Sequence, residues 1–390
     1  MRIEAIELRV VSLPLVTPFV TAHGTVSERS SVLVRIMTPD GDGWGECAAL
    51  PEPTYTAEYV EGALLVLRQH LAPRLLQAGA SDSAEPTANH VRGLLSGVVG
   101  HPMARAALEM AVLDAELRTS GTSLAIRLLG SRPAPPPDVP AGAAIGLGAT
   151  PDATAAAVAA AAAQGYGRLK LKIAPGRDVD HARAARQAAG PATVIVLDAN
   201  GSYRLDGEYG APDDARRLDA IDDLAVACLE QPLPADALLD HAELARRLAT
   251  PICLDESLTS MALTAQALDM GACQVVCVKA PRYGSWLDAV DVLDHCLGNG
   301  VPAWIGGMLD TGLGRAANLA LAGHGACSLP GDIPITTDVV TDDVTAPRVA
   351  LAADGPLRIA VPDGPGLGVD VDPRALNRLT DHVETITAAS

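Results

Sequence analysis

From Ala141 onward the chain repeats one pattern: a short apolar run, a polar residue, then a longer segment with helical spacing. The runs read "AGAAIGLG", "RLKLKI", "TVIVLDAN", "AVACLEQP", "PICLDES", "QVVCVKA", "VPAWIGG" and "ACSLPGD". A strand covered on both faces is a continuous apolar stretch, and strands that alternate with helices pair in parallel. Eight such steps in roughly 200 residues predict an α/β fold of the (β/α)₈ type, a TIM barrel. The barrel is expected over 138–335, with its last steps less regular than its first.

Upstream the pattern differs. "SSVLVRIMTPDGDGWGECA" reads as a hairpin around an Asp-Gly turn, and helical spacing follows over 59–76 and 103–117. Residues 1–130 therefore read as an α+β module. The cluster "SRPAPPPDVP" separates it from the barrel as a linker does. The tail, 355–390, carries "PDGPGLG" and is expected to return to the first module.

Composition narrows the partners. A net charge of −18 disfavours nucleic acid and anionic membrane. No apolar stretch reaches membrane-spanning length, and "MRIEAIELRVVSL" alternates like a strand rather than a leader. Seven cysteines without a C-x-x-C pair give neither a zinc signature nor a disulfide framework. These features predict a cytoplasmic protein that binds neither nucleic acid nor membrane.

The basic residues are the sharper clue. Of 29, only Lys170, Lys172 and Lys279 are lysines. Arginine serves most surface positions, so lysine is left where a compact amine able to lose its proton is needed. Five barrel runs end in Lys172, Asp198, Glu230, Asp255 and Lys279, at steps of 26, 32, 25 and 24 residues. In a barrel these strand ends converge on the C-terminal rim, where active sites lie. A lone aspartate there is commonly a helix cap. Three carboxylates on consecutive strands repel unless a cation joins them, and hard oxygen ligands favour Mg²⁺, with Mn²⁺ able to substitute. Asp198, Glu230 and Asp255 are the expected ligands, with a salt-bridge network to the lysines as the alternative. Lys172 and Lys279 flank the set from opposite sides, a layout suited to removing a proton beside a metal-bound carboxylate.

The motifs "KLK", "DAN", "EQP", "DES" and "VK", followed by "GGM" and "TGLGRAAN", resemble the muconate-lactonizing branch of the enolase superfamily. "GWGEC", "ALEMAVLDAEL", "HAELARR", "LPGD" and "GPGLG" extend the likeness over almost the whole chain. It is similar in particular to the N-acylamino acid racemase and o-succinylbenzoate synthase group. The resemblance implies that the first module and the tail form one capping domain whose loops close over a small carboxylate substrate. It also implies Lys172 and Lys279 as the catalytic pair, Lys170 as supporting charge, and an enediolate stabilised by Mg²⁺. The expected activity is racemisation of N-acyl, notably N-succinyl, amino acids by a homo-oligomer. o-Succinylbenzoate synthesis is the alternative, and dipeptide epimerisation a more distant one.

Substrate contacts are expected from several further residues. Phe19 lies in "PFVTAHGTVSER", a lid-like stretch, and Tyr55 holds a position that in these racemases faces the acyl substrate. Gly306, Gly307 and Met308 would present a backbone edge, while Arg282, three residues after Lys279, would tune its charge or hold an anion. Ala144 stands where the family usually has serine. "GLGRAA" has the form of a dinucleotide fingerprint but lacks the surrounding unit.

Overall fold

The computed structural model describes residues 1–21, 24–79, 87–130, 134–205, 213–352 and 357–388. The cap is built on an antiparallel sheet of Ala5–Thr21, Gly24–Met37 and Gly43–Cys47, with the tail strand Thr380–Thr387 on the far edge. The tail thus completes the cap, Val10 pairing with His382 and Leu8 with Glu384. Helix Pro102–Ser120 presses on this sheet. Two glycines permit the approach: a Cβ at Gly43 would lie 2.1 Å from the Ala111 carbonyl oxygen, and one at Gly45 2.0 Å from that of Ala107. Ala107, Ala111 and Ala115 recur every fourth residue and keep that helix face flat.

Seven parallel strands form the barrel wall, in the order Gly142–Ile145, Arg168–Lys172, Val194–Asp198, Cys228–Glu230, Ile252–Leu254, Val275–Val278 and Ala303–Ile305. Helices separate successive strands, such as Pro151–Gln164 and Val179–Ala189 around the Lys172 strand. The eighth run, expected as a strand, is reduced to single bridges. Cys327 pairs with Ala303 and Asp332 with Gly306 on one side, and Gly331 pairs with Ala141 on the other. Pro330 has no N–H to give a ladder there. The bridges nevertheless join the two edges of the seven-stranded sheet, so the wall closes.

Side chains two apart on a strand share a face. Val196, Cys228, Cys253 and Cys277 accordingly lie one layer beneath Asp198, Glu230, Asp255 and Lys279, and pack with Trp304 as a buried apolar cluster. Lys170 occupies this lower layer on its own strand. No helix among the described residues is long and apolar enough to cross a membrane.

Candidate active site

The rim of the barrel collects the five strand-end residues as a continuous charged row. Lys172 pairs in register with Asp198, and Asp198 with Glu230. Lys172 Nζ lies 2.6 Å from Asp198 Oδ2 and 2.8 Å from Asn200 Oδ1. Lys279 Nζ lies 2.8 Å from Asp255 Oδ2 and donates to the Tyr55 hydroxyl at 2.9 Å. Lys170, a layer down, reaches Glu230 Oε1 at 2.9 Å, Asp198 Oδ2 at 3.1 Å and Asp332 Oδ2 at 2.5 Å. All three lysines and all three carboxylates are buried.

Burial of so many charges is tolerated because each is paired. Burial by itself would raise the Asp198 carboxyl, but the ammonium groups of Lys172 and Lys170 outweigh it and hold it well below the usual range. Asp255 is likewise held down, Arg282 and Lys279 outweighing burial. Glu230 goes the other way: burial and the neighbouring Asp198 push it well up, against Lys170. Lys279 stays above its ordinary value because Asp255 and Tyr55 overcome its burial.

The carboxylates offer oxygen acceptors suited to a hard cation. Glu230 Oε2 and Asp255 Oδ1 are buried and accept no hydrogen bond among the described residues, Arg282 Nε standing 3.6 Å from the latter. In this arrangement the lysines supply the neutralising charge. Among the described residues, the group whose ligand atoms lie within 4.8 Å of one another is Glu230, Cys277 and Asp332, not the three strand-end carboxylates. Cys277 is a poor candidate for Mg²⁺, since burial pushes its thiol well up and sulfur is a soft donor. By donor type alone, the oxygen set Asp198, Glu230 and Asp255 suits a hard divalent ion better than a set containing that thiol.

A cavity of about 740 Å³ opens above the row, between barrel rim and cap. Lys170, Lys172 and Lys279 lie on its floor, and Tyr55, Ala144, Gly307 and Met308 on its walls. Tyr55 comes from the cap, with its ring under the Arg282 guanidinium at 4.9 Å. Ala144 pairs with Lys170 and so faces inward. Gly306 sits where a Cβ would meet Lys279 Cε at 2.8 Å. Its N–H goes to the Val278 carbonyl, and that of Met308 to Asp310 Oδ2. Two donors of the expected backbone edge are thus already used within the protein. Phe19 pairs with Val26 through its backbone, but its side chain lies outside the described residues.

Three contributors escape a reading based on strand ends. Asn200, one residue beyond the strand loop's start in "DAN", aims Lys172 and donates to Glu256 at 2.8 Å. Asp332 and Arg168 form a buried ion pair beneath the site, with Arg168 stacked 4.8 Å from the Trp304 ring. The only sequence signal for Arg168 is a charge at the start of an otherwise buried strand.

Two family models match the chain: "mandelate racemase / muconate lactonizing enzyme, N-terminal domain" over 5–130, and "enolase C-terminal domain-like" over 152–375. An N-succinylamino acid racemase from an Amycolatopsis species is 44% identical over 380 residues, 97% of this chain and 98% of the relative. An o-succinylbenzoate synthase from Geobacillus stearothermophilus is 38% identical over 386 residues, 98% of this chain and 97% of that one. A solved structure of an enolase-superfamily member from Listeria innocua superposes with a TM-score of 0.89 at 32% identity, covering 99% of each chain. The capped barrel and these matches make the chain an enzyme of the enolase superfamily, and within it a member of the mandelate racemase / muconate lactonizing enzyme family.

Proposed function

We propose that the protein racemises N-acylamino acids, N-succinyl ones foremost, by removing the α-proton from one face of the substrate and returning it on the other. The observation that carries this reading is that two amines, Lys172 and Lys279, enter one cavity from strands on either side of the three carboxylate strands. A substrate lying across the floor has an amine on each face of its α-carbon. The likeness to the Amycolatopsis racemase supports the same chemistry.

Asp198, Glu230 and Asp255 would hold Mg²⁺, or Mn²⁺ in its place, and the ion would supply positive charge to offset the negative charge that develops on the substrate carboxylate. Lys172 and Lys279 act as base and acid, each taking the role its own face requires. Asp198 and Asn200 aim Lys172, while Asp255 and Tyr55 aim Lys279. Arg282, against both Asp255 and Tyr55, fixes that second pair rather than touching substrate. Lys170 contributes fixed charge from below. Tyr55, Gly307 and Met308 shape the wall, and the Ala144 methyl offers no hydroxyl to a substrate oxygen.

o-Succinylbenzoate synthesis is the second reading, because relatives of that name match as fully and the reaction begins with the same proton removal. Dipeptide epimerisation is less favoured: Asp332, the acid on the eighth run, is committed to Arg168 and Lys170. In deuterated water with Mg²⁺, the protein is expected to exchange the α-proton of both N-succinyl-L-phenylalanine and its D form. Rapid turnover of the synthase substrate, with no exchange from N-acylamino acids of several side chains, would instead assign the synthase.

A further inference from the structure

Lys172 has two partners, and they differ in what else they serve. Asp198 Oδ2 is shared between Lys172 Nζ at 2.6 Å and Lys170 Nζ at 3.1 Å, and Asp198 is one of the three acids that would hold the ion. Asn200 Oδ1 accepts from Lys172 at 2.8 Å, and the other half of that amide reaches across the Glu230 strand, its Nδ2 donating to Glu256 Oε1 at 2.8 Å. An ammonium only donates and a carboxylate only accepts, so an amide between them has one workable orientation. Turned about its last torsion, Asn200 would set its NH₂ against the ammonium and its oxygen against the carboxylate. The backbone is not free to compensate. Asn200 sits at φ +45°, in the left-handed region that asparagine tolerates, and its N–H is held by Asp198 Oδ1 at 3.0 Å.

Of the two groups the amide joins, Glu256 is the fixed one. It follows Asp255, and the buried Gln231 clamps the turn around both: Gln231 Oε1 accepts from the Asp255 N–H at 3.1 Å and the Ser257 N–H at 3.2 Å, while its Nε2 donates to Ser257 Oγ at 2.8 Å. Lys172 ends a flexible four-carbon stem and follows its partner. Asn200 lines the cavity beside Lys172, whereas Glu256 is not among the described lining residues and acts through Asn200. Two consecutive acids thus reach the two amines. Asp255 contacts Lys279 directly at 2.8 Å, and Glu256 contacts Lys172 through the amide.

We infer that Glu256 is a positioning residue: it orients the Asn200 amide, and through it the Lys172 amine, against the same short segment that holds Lys279. The inference rests on the racemase reading above and adds to it how the placement of one base relative to the other is fixed.

The test follows α-proton exchange in deuterated water from N-succinyl-L-phenylalanine and its D form separately, at saturating Mg²⁺. Lys172→Ala identifies the hand that Lys172 serves. Glu256→Leu leaves Asn200 Nδ2 without its acceptor and should cut exchange from that hand about tenfold more than from the other. Exchange retained from the other hand shows that the variant is folded. Glu256→Gln keeps a carbonyl oxygen in the same place and should bring the ratio of the two hands back to within about twofold of the wild type. Asn200→Leu should give the same one-handed loss, and adding Glu256→Leu to it should move the ratio no further. Equal loss of both hands in Glu256→Leu, whether or not more Mg²⁺ relieves it, would make Glu256 a support of the ion site or of the fold and overturn the inference. A Gln variant as one-handed as the Leu variant, or additive effects in the double variant, would overturn it too and leave the racemase reading standing. Exchange of neither hand by the wild type would overturn the racemase reading, and this inference with it.

Discussion

Lys279 shows how much a single position here depends on its neighbours. Its amine is fixed by Asp255 and Tyr55, and its stem passes over Gly306, where an added Cβ would lie 2.8 Å from Cε and 2.7 Å from Cys277 Sγ. Both contacts are buried and have no room to retreat. Gly306→Ala is therefore expected to shift the Lys279 amine and cut kcat by about 100-fold, since misplacement on the order of 1 Å has that effect. KM should change much less, which steady-state kinetics would reveal. Charge alone does not suffice at these positions. Lys172→Arg and Lys279→Arg keep a cation, but a guanidinium does not give up its proton at working pH. Each should lose about 10²- to 10⁴-fold in exchange rate. Lys170→Arg, a layer below the cavity's reacting plane, should lose less. Near-normal turnover in either of the first two variants would show that the lysine concerned is not a base.

At the scale of elements, cap and barrel are joined by buried carboxylates that cap helices across the boundary. Glu46, from the cap strand Gly43–Cys47, accepts from the Thr311 N–H and hydroxyl and from the Gly314 N–H, at the start of barrel helix Gly312–Ala322. Glu109, from cap helix Pro102–Ser120, accepts from the Ser285 hydroxyl at 2.7 Å and the Trp286 N–H at 2.5 Å, at the start of barrel helix Trp286–Gly298. A carboxylate there satisfies N–H groups that the helix leaves unpaired. Burial pushes the Glu109 carboxyl up to about 7, against those hydrogen bonds. Because the folded chain then holds this proton more tightly than the unfolded chain, the group favours folding most below its ordinary value of 4.5. That contribution fades as pH rises and is gone above about 7. Glu109→Gln cannot titrate. The variant's Tm is expected to fall less than that of the wild type between about pH 5 and about pH 8, as a thermal melt series would show. Parallel pH profiles would contradict the assignment.

For the whole molecule, the repeat of apolar runs was enough to read the barrel, because parallel strands buried on both faces leave an unbroken apolar signal. The eighth run carries the same composition, yet Pro330 denies it a ladder and single bridges close the wall. The row from Lys172 to Lys279 was legible for a related reason: a charge that ends a buried strand has few structural explanations. What the sequence hid are contacts between distant segments. Arg168 meets Asp332 across 164 positions and Tyr55 meets Lys279 across 224, and neither pairing follows from local spacing. Tyr55 was reachable only through family resemblance, and the Glu230, Cys277 and Asp332 cluster through no sequence pattern at all. The central claim, one base for each face of the substrate, is tested most directly by following α-proton exchange in deuterated water from L and D substrate separately, in Lys172→Ala and in Lys279→Ala. The account predicts that each variant loses exchange from one enantiomer far more than from the other, and that the two variants lose opposite hands. Equal loss from both enantiomers in each variant, or loss of the same hand in both, would contradict it.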